Sequence, residues 1–268
     1  MASKQSHLNP SQIELLEILY KYRFSNRQLI AESLGINAGS SLHERLRVLL
    51  KHGFIGMRLE KRLKLVGMPA AYYLTPKGMR ALRVVPDHAF ITDSVIKASY
   101  KDKAVGQAFI THTMNIHRYT NALRHQYEGL RVFTKREMSR YSYFPSQLPD
   151  AFLSLPTDDP LQPKRFFLDF IPDALPSYRL DRRLARYCQF FDEGGWDISG
   201  TEVPALLFIG ERAGTERRIR RIAQSIFRKT DADELVALTT TTSALSKSQE
   251  SAVWSSIEEP DELHALVS

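Results

Sequence analysis

Apolar residues recur at helical spacing through the first third of the chain. Ile13, Leu16, Leu19 and Tyr20 mark one side of a helix from about Pro10 to Tyr22, with Asn9 as its N-cap and Pro10 suited to the first turn. Ser25 and Gln28 have capping-box spacing at the start of a second helix, and Gly35 supplies the left-handed geometry that closes it. Another such pair, Ser41 and Glu44, predicts a third helix ending at Gly53. Its apolar stripe is Leu42, Leu46, Leu49 and Leu50. A rotation of about 100° per residue places Ser40, Glu44, Arg47, Val48 and Lys51 on the opposite side, with Arg45 on the flank. A strand from about Phe54 to Leu59, including Arg58, then pairs with Ala70–Leu74 across a loop holding Lys61, Arg62 and Lys64. Gly67 and Pro69 supply turn geometry, and Thr75-Pro76 opens a short helix through Leu82.

The pattern weakens between Val84 and Lys103, which reads as a partly ordered boundary. A long helix follows, about Ala104 to Tyr127, with Phe109, Met114, Ile116, Tyr119 and Leu123 inward. After it come strands at Leu130–Met138, Leu148–Pro156 and Arg165–Asp173, then a helix, SYRLDRRLARYCQFFDEGGW. A buried strand at Val203–Glu211, a very basic helix, TERRIRRIAQSIFRK, and a last strand at Glu234–Thr242 complete the order. That order predicts an α/β sandwich around one sheet. The expected organisation is therefore α+β, with a helical domain over 1–85, a linker over 86–103, an α/β domain over 104–255 and an acidic tail over 256–268. Trp254 is expected to pack back on the sandwich and the rest of the tail to be mobile or a docking peptide.

The composition is that of a globular protein: 43% of the 268 residues are hydrophobic and 25% charged. The net charge of +7 favours a polyanionic partner. A single cysteine, Cys188, excludes an internal disulfide and fits a reducing cytoplasm. No apolar run is long enough to span a bilayer, and MASKQSHLNP lacks the hydrophobic region of a signal peptide. The expected location is cytoplasmic, away from membranes.

Charge then singles out residues. On the third helix Ser40, Ser41, Glu44, Arg45, Arg47 and Lys51 can meet base edges and phosphates in a major groove, while Arg58, Lys61, Arg62 and Lys64 grip neighbouring backbone. Arg217, Arg218 and Arg221, in a helix with six basic residues and one nearby acid, are further candidates for phosphate contact. Another helix clusters Arg179, Arg182, Arg183 and Arg186. His112, His117 and His125 lack the spacing that puts two imidazoles on one face for a metal, so a hydrogen-bonded structural histidine is expected. Asp150 follows a proline where two strands meet, and Asp169 falls in the middle of the next strand. Two carboxylates so placed can hold a hard cation that polarises phosphate and activates water, and Glu137 can add a third oxygen. An aspartate in an apolar strand can equally pair with an arginine of the following helix.

The first third, with YYLTPKG (Tyr72–Gly78) entering a closing helix, resembles the winged helix-turn-helix family. Asp150 and Asp169 resemble the acids of the PD-(D/E)xK nuclease fold, although Ile171 stands where that family has its lysine. The combination, with THTMNIHRYTNALR and RLARYCQFF, resembles the replication-relaxation family from about Ser11 to Trp254. The usual acid-x-acid pair of that family lacks its second acid here, at Asp169-Phe170-Ile171. The resemblance implies a DNA-processing accessory protein of a plasmid, phage or integrative element. Together with the basic residues above, the first expectation is a sequence-specific binder of double-stranded DNA in replication, mobilisation or transcriptional control. Two alternatives stay open: a Mg-dependent nickase or nuclease using Asp150 and Asp169, and a winged-helix adaptor for proteins. Magnesium is the cofactor that the nuclease reading requires. A homodimer and other replication or mobilisation proteins are the further partners expected.

Overall fold

The computed structural model describes residues 8–59, 69–159, 161–232, 234–247 and 252–266. It divides into two compact units, Met1–Arg118 and Tyr119–Ser268.

In the first unit, α1 (Pro10–Tyr22) starts as its sequence dictates. The Asn9 side chain accepts from the Gln12 backbone N–H at 2.9 Å, and the Gln12 side chain returns the bond to the Asn9 N–H. The next helix, α2 (Arg27–Leu34), departs from the expected Ser25–Gln28 box. Ser25 exchanges backbone hydrogen bonds with Tyr72, and its hydroxyl lies 2.9 Å from His117 Nδ1. Asn26 is the N-cap instead, its side chain accepting from Leu29 N at 2.9 Å. Gly35, at φ 63°, closes the helix as expected.

The expected Ser41–Glu44 box is also absent. The third helix, α3 (Ser40–Lys51), begins after Gly39, which has no side chain to cap with; Ser41 falls inside the first turn, and the Glu44 carboxylate is engaged by Arg47 instead. Its leucine stripe behaves as the spacing requires: Leu42, Leu46 and Leu49 are buried with Leu15, Leu16, Leu19 and Ile30. Strands β1 (Ile55–Arg58) and β2 (Ala71–Leu74) pair antiparallel, Ile55 opposite Leu74 and Arg58 opposite Ala71. Then α4 (Pro76–Arg83) is capped by Thr75, whose hydroxyl accepts from Gly78 N.

The stretch expected as a partly ordered linker is helical. It forms a 3-10 turn at Pro86–His88, α5 (Asp93–Ser99) and a second 3-10 turn at Tyr100–Lys103. Ile91 and Ile96 bury into the same core as α1 and α3, which is why the segment has a fixed path. Within α6 (Gln107–Gln126), Ile110 and Met114 bury beside Phe24, Leu29 and Ala71 of the first unit. His117 is buried there, stacked on Tyr22 with ring centroids 3.6 Å apart and bonded to the Ser25 and Ser33 hydroxyls at 2.9 and 2.7 Å.

The second unit is built on one sheet of seven strands in sequence order: β3 (Arg131–Thr134), β4 (Ala151–Leu155), β5 (Lys164–Ile171), β6 (Ala205–Gly210), β7 (Ala237–Thr241), β8 (Trp254–Ser256) and β9 (Leu263–His264). Only β5, β6 and β7 run parallel, and two helices carry their crossovers: α8 (Ser177–Asp192) and α9 (Ala213–Thr230). Consecutive right-handed crossovers moving one way along a sheet put both helices on the same face. Phe152, Phe167, Leu206, Phe208 and Ala237 accordingly share a core with Leu180, Leu184, Tyr187, Ile219 and Ala223. The alternate residue Phe170 meets Tyr119 instead, at 5.2 Å between rings. The short α10 (Thr242–Lys247) follows β7, and the Leu245 carbonyl accepts from the Gln126 side chain.

Two further expectations change here. The first of the predicted strands ends at Thr134, and Lys135–Met138 form a single helical turn, α7. Trp254 packs back as expected, but the acidic tail after it does not stand apart: it supplies the end of β8 and β9, and it buries Ile257 and Leu266 while its acids stay exposed. Two apolar anchors spaced along the tail, after the buried Trp254, outweigh the charge that suggested mobility.

Candidate nucleic-acid surface and acid pair

The outer face of α3 is polar and open. Ser40, Ser41, His43, Glu44, Arg47 and Lys51 are exposed, and Arg45 and Val48 are half-buried at the flanks. Apart from Val48, expected to face outward, and His43, outside the expected set, this is the arc expected from the rotation, with Leu42, Leu46 and Leu49 fixing which side turns inward. Arg47 and Glu44 clamp each other in a two-pronged pair, Nε to Oε2 at 2.7 Å and Nη2 to Oε1 at 2.6 Å. That hydrogen bond is the main reason the Glu44 carboxyl titrates below its ordinary range and Arg47 above its own. Both side chains are more than half exposed, so the pair is readily exchanged for other partners.

Arg58 is placed differently from expectation. Its Nη1 donates to the carbonyls of Lys103 and Val105 at 2.8 and 3.1 Å, tying β1 to the segment before α6. Lys61, Arg62 and Lys64 lie outside the described residues. On α9, Arg217 and Arg221 are exposed, but Arg218 donates to the carbonyls of Asp173 and Pro172 at 3.4 and 3.3 Å. The clustering of arginines on that helix therefore overstates its outward charge.

The two aspartates do come together. Asp169 on β5 accepts from the backbone N–H of Asp150 at 2.9 Å, and Asp150 accepts from the N–H of Phe170 at 3.0 Å. The pair is buried, and each acid already has a cation. Arg183 of α8 grips Asp169 through Nε and Nη2, while Lys135 of α7 reaches Asp150 at 2.5 Å. The Tyr187 hydroxyl also donates to Asp169, at 2.9 Å. Burial opposes the charge on Arg183, but Asp169 beside it, with Tyr187 and Asp150 beyond, raises the guanidinium pKa well above its usual value. Burial likewise pushes the Tyr187 hydroxyl well up.

This donor set does not fit a divalent cation. Both oxygens of Asp169 are held by Arg183 and Tyr187, whereas Mg²⁺ needs carboxylate oxygens it can coordinate directly. The third oxygen expected from Glu137 is turned to another use: it closes a capping box, its Oε2 accepting from Thr134 N and Oγ1 at 2.7 and 3.1 Å. Among the described residues no three His, Cys, Asp or Glu side chains gather as a metal site. The open alternative, an aspartate paired with an arginine of the following helix, describes Asp169 and Arg183. Reading the sequence missed Lys135 and Tyr187. Tyr187 follows Arg183 by one helical turn, which is the only local signal that both reach one acid.

The chain matches no family profile, and no curated protein matches it. Two solved structures of variants of ZitR from Lactococcus lactis align with it, each over 46% of this chain and 77% of the other. Their identities are 18% and 19% and their TM-scores 0.26 and 0.27. The fold defines a mixed α/β protein with a helical amino-terminal unit. No helix among the described residues is long and apolar enough to cross a membrane.

Proposed function

We propose that the first unit is a winged helix-turn-helix that binds double-stranded DNA and reads its sequence with α3. The observation that carries this reading is the open arc of Ser40, Ser41, Glu44, Arg47 and Lys51 on a helix anchored by three buried leucines. A helix held rigidly from behind can enter a major groove as one body. The order helix, helix, helix, two-stranded hairpin, helix supports the same reading. Arg47 pairs well with guanine O6 and N7, and Glu44 with cytosine N4, so the clamp in the free protein exchanges one partner for base edges on binding. Lys51 and the hydroxyls of Ser40 and Ser41 contact phosphates. The finer role, replication, mobilisation or transcriptional control on a mobile element, rests on the sequence resemblance alone.

The test is selection of a duplex from a random pool, followed by anisotropy titrations against the selected and a scrambled duplex. Arg47→Ala is expected to lose about 1–3 kcal/mol of preference for the selected sequence. Lys51→Ala is expected to weaken both duplexes alike and lower the salt slope by about 0.9. Equal affinity of the unmodified protein for both duplexes would overturn sequence reading, and salt-insensitive binding would overturn the contact with DNA altogether.

A further inference from the structure

One cavity of the second unit has no part in the reading above. It is an open hollow of about 360 Å³ lined by Gln147, Leu175, Arg179, Arg182, Arg183 and Arg186. Four guanidinium groups along one wall arise from α8, where their separations of three, four and seven residues put them on a single stripe. The helix already has its buried stripe in Leu180, Leu184, Tyr187 and Cys188, so the arginines are not a by-product of packing. Asp181 is rotated from the arginine stripe by roughly half a turn at about 100° per residue, too far round to neutralise it.

The four arginines are not equivalent. Arg183 is committed to the Asp169 carboxylate and to the Leu148 carbonyl, and forms a fixed floor. Arg186 donates to the Gln147 side chain at 2.6 Å, a neutral partner that orients the guanidinium without discharging it. Arg179 and Arg182 are exposed, and among the described residues no carboxylate pairs with either of them or with Arg186. Like charges three and four residues apart repel along a helix, so the stripe is less stable empty than with an anion in it. Planar guanidinium forks converging on a concave, partly apolar hollow match the oxygens of a phosphate.

We propose that this hollow is a phosphate-binding site in which Arg179, Arg182 and Arg186 hold the oxyanion and Arg183 positions the wall. A phosphate of a polynucleotide backbone and that of a free phosphorylated ligand offer the same chemistry, and the test separates them. The full chain is titrated with inorganic pyrophosphate by calorimetry, and with the selected duplex by anisotropy over a range of salt. The same titrations are made on Arg179→Gln/Arg182→Gln/Arg186→Gln and on the single variant Arg182→Gln, with thermal melting to check folding. The Arg182 side chain makes no hydrogen bond to the rest of the described chain, which keeps that variant informative if the triple one is poorly folded.

Saturable, salt-sensitive pyrophosphate binding that falls about tenfold or more in the variants supports the site. If the triple variant also loses about 2–3 from the duplex salt slope, the backbone of DNA is the source. If the duplex is unaffected while pyrophosphate binding is lost, the ligand is a free phosphorylated molecule. No saturable pyrophosphate binding by the unmodified chain, or equal binding by a folded variant, overturns the proposal. Arg47→Ala, which removes sequence reading, is expected to leave pyrophosphate binding unchanged, so failure of either proposal is recognisable by itself.

Discussion

Asp169 ties β5 to α8 and to the backbone at the start of β4. A buried carboxylate costs several kcal/mol to desolvate, and Arg183, Tyr187 and the Asp150 N–H offset that cost by holding both of its oxygens. Asp169→Ala leaves the Arg183 guanidinium without its counter-charge, and a loss of about 3–5 kcal/mol in urea unfolding is expected. Tyr187→Phe removes one donor from an acid that keeps its arginine, so a smaller loss of about 1–3 kcal/mol is expected. That variant also changes the response to alkali. The folded pKa of Tyr187 is raised, so its contribution is complete below the unfolded value of about 10 and is lost as pH rises beyond it, where the unfolded chain ionises first. Stability measured above about pH 10 should therefore fall less steeply in Tyr187→Phe than in the unmodified protein. An unchanged slope would show that the hydroxyl is not held neutral by the fold.

At the scale of elements, periodicity and capping chemistry located the helices, and long-range partners moved their first residues. Asn9 caps α1 because its side chain bonds only next to itself in the chain, to the Gln12 N–H and the Ser11 hydroxyl, and the sequence told this correctly. Ser25 has equally good local chemistry, but the bridge to Tyr72 and the bond to His117 draw it away, and Asn26 takes the role. The expected consequence is that Asn26→Ala costs about 1 kcal/mol of unfolding free energy. Ser41→Ala, which removes no cap, should stay within about 0.5 kcal/mol. Gly78 is a case of close approach: a Cβ there would press into the carbonyl oxygen of Phe54, a backbone atom that cannot rotate aside. Gly78→Ala should therefore be destabilising in spite of the better helix propensity of alanine, and a raised melting temperature would contradict that packing.

On the scale of the whole chain, the segments between and after the obvious elements proved to be structural. Residues 86–103 close the first core through Ile91 and Ile96, and the carboxy-terminal segment adds β8 and β9 to the sheet. Trp254 is fully buried, and Trp254→Ala is expected to cost about 3–5 kcal/mol, read from the unfolding midpoint in urea. A change below about 1 kcal/mol would show that β8 contributes little to holding the sheet. Low local hydrophobicity misled in both segments, because two or three anchors are enough when a preformed core receives them.

By itself the sequence determined what depends on neighbours along the chain. The leucine stripe of α3, the polar arc opposite it and the alternation of helix and strand in the second unit follow from period and turn chemistry over a few residues. Which acid meets which cation did not follow. Lys135, Asp150, Asp169, Arg183 and Tyr187 are separated by up to dozens of positions and meet only because β4 pairs with β5 and α8 folds back across the sheet. Side-chain charge acts over a few ångströms in space, and only the tertiary structure sets that distance.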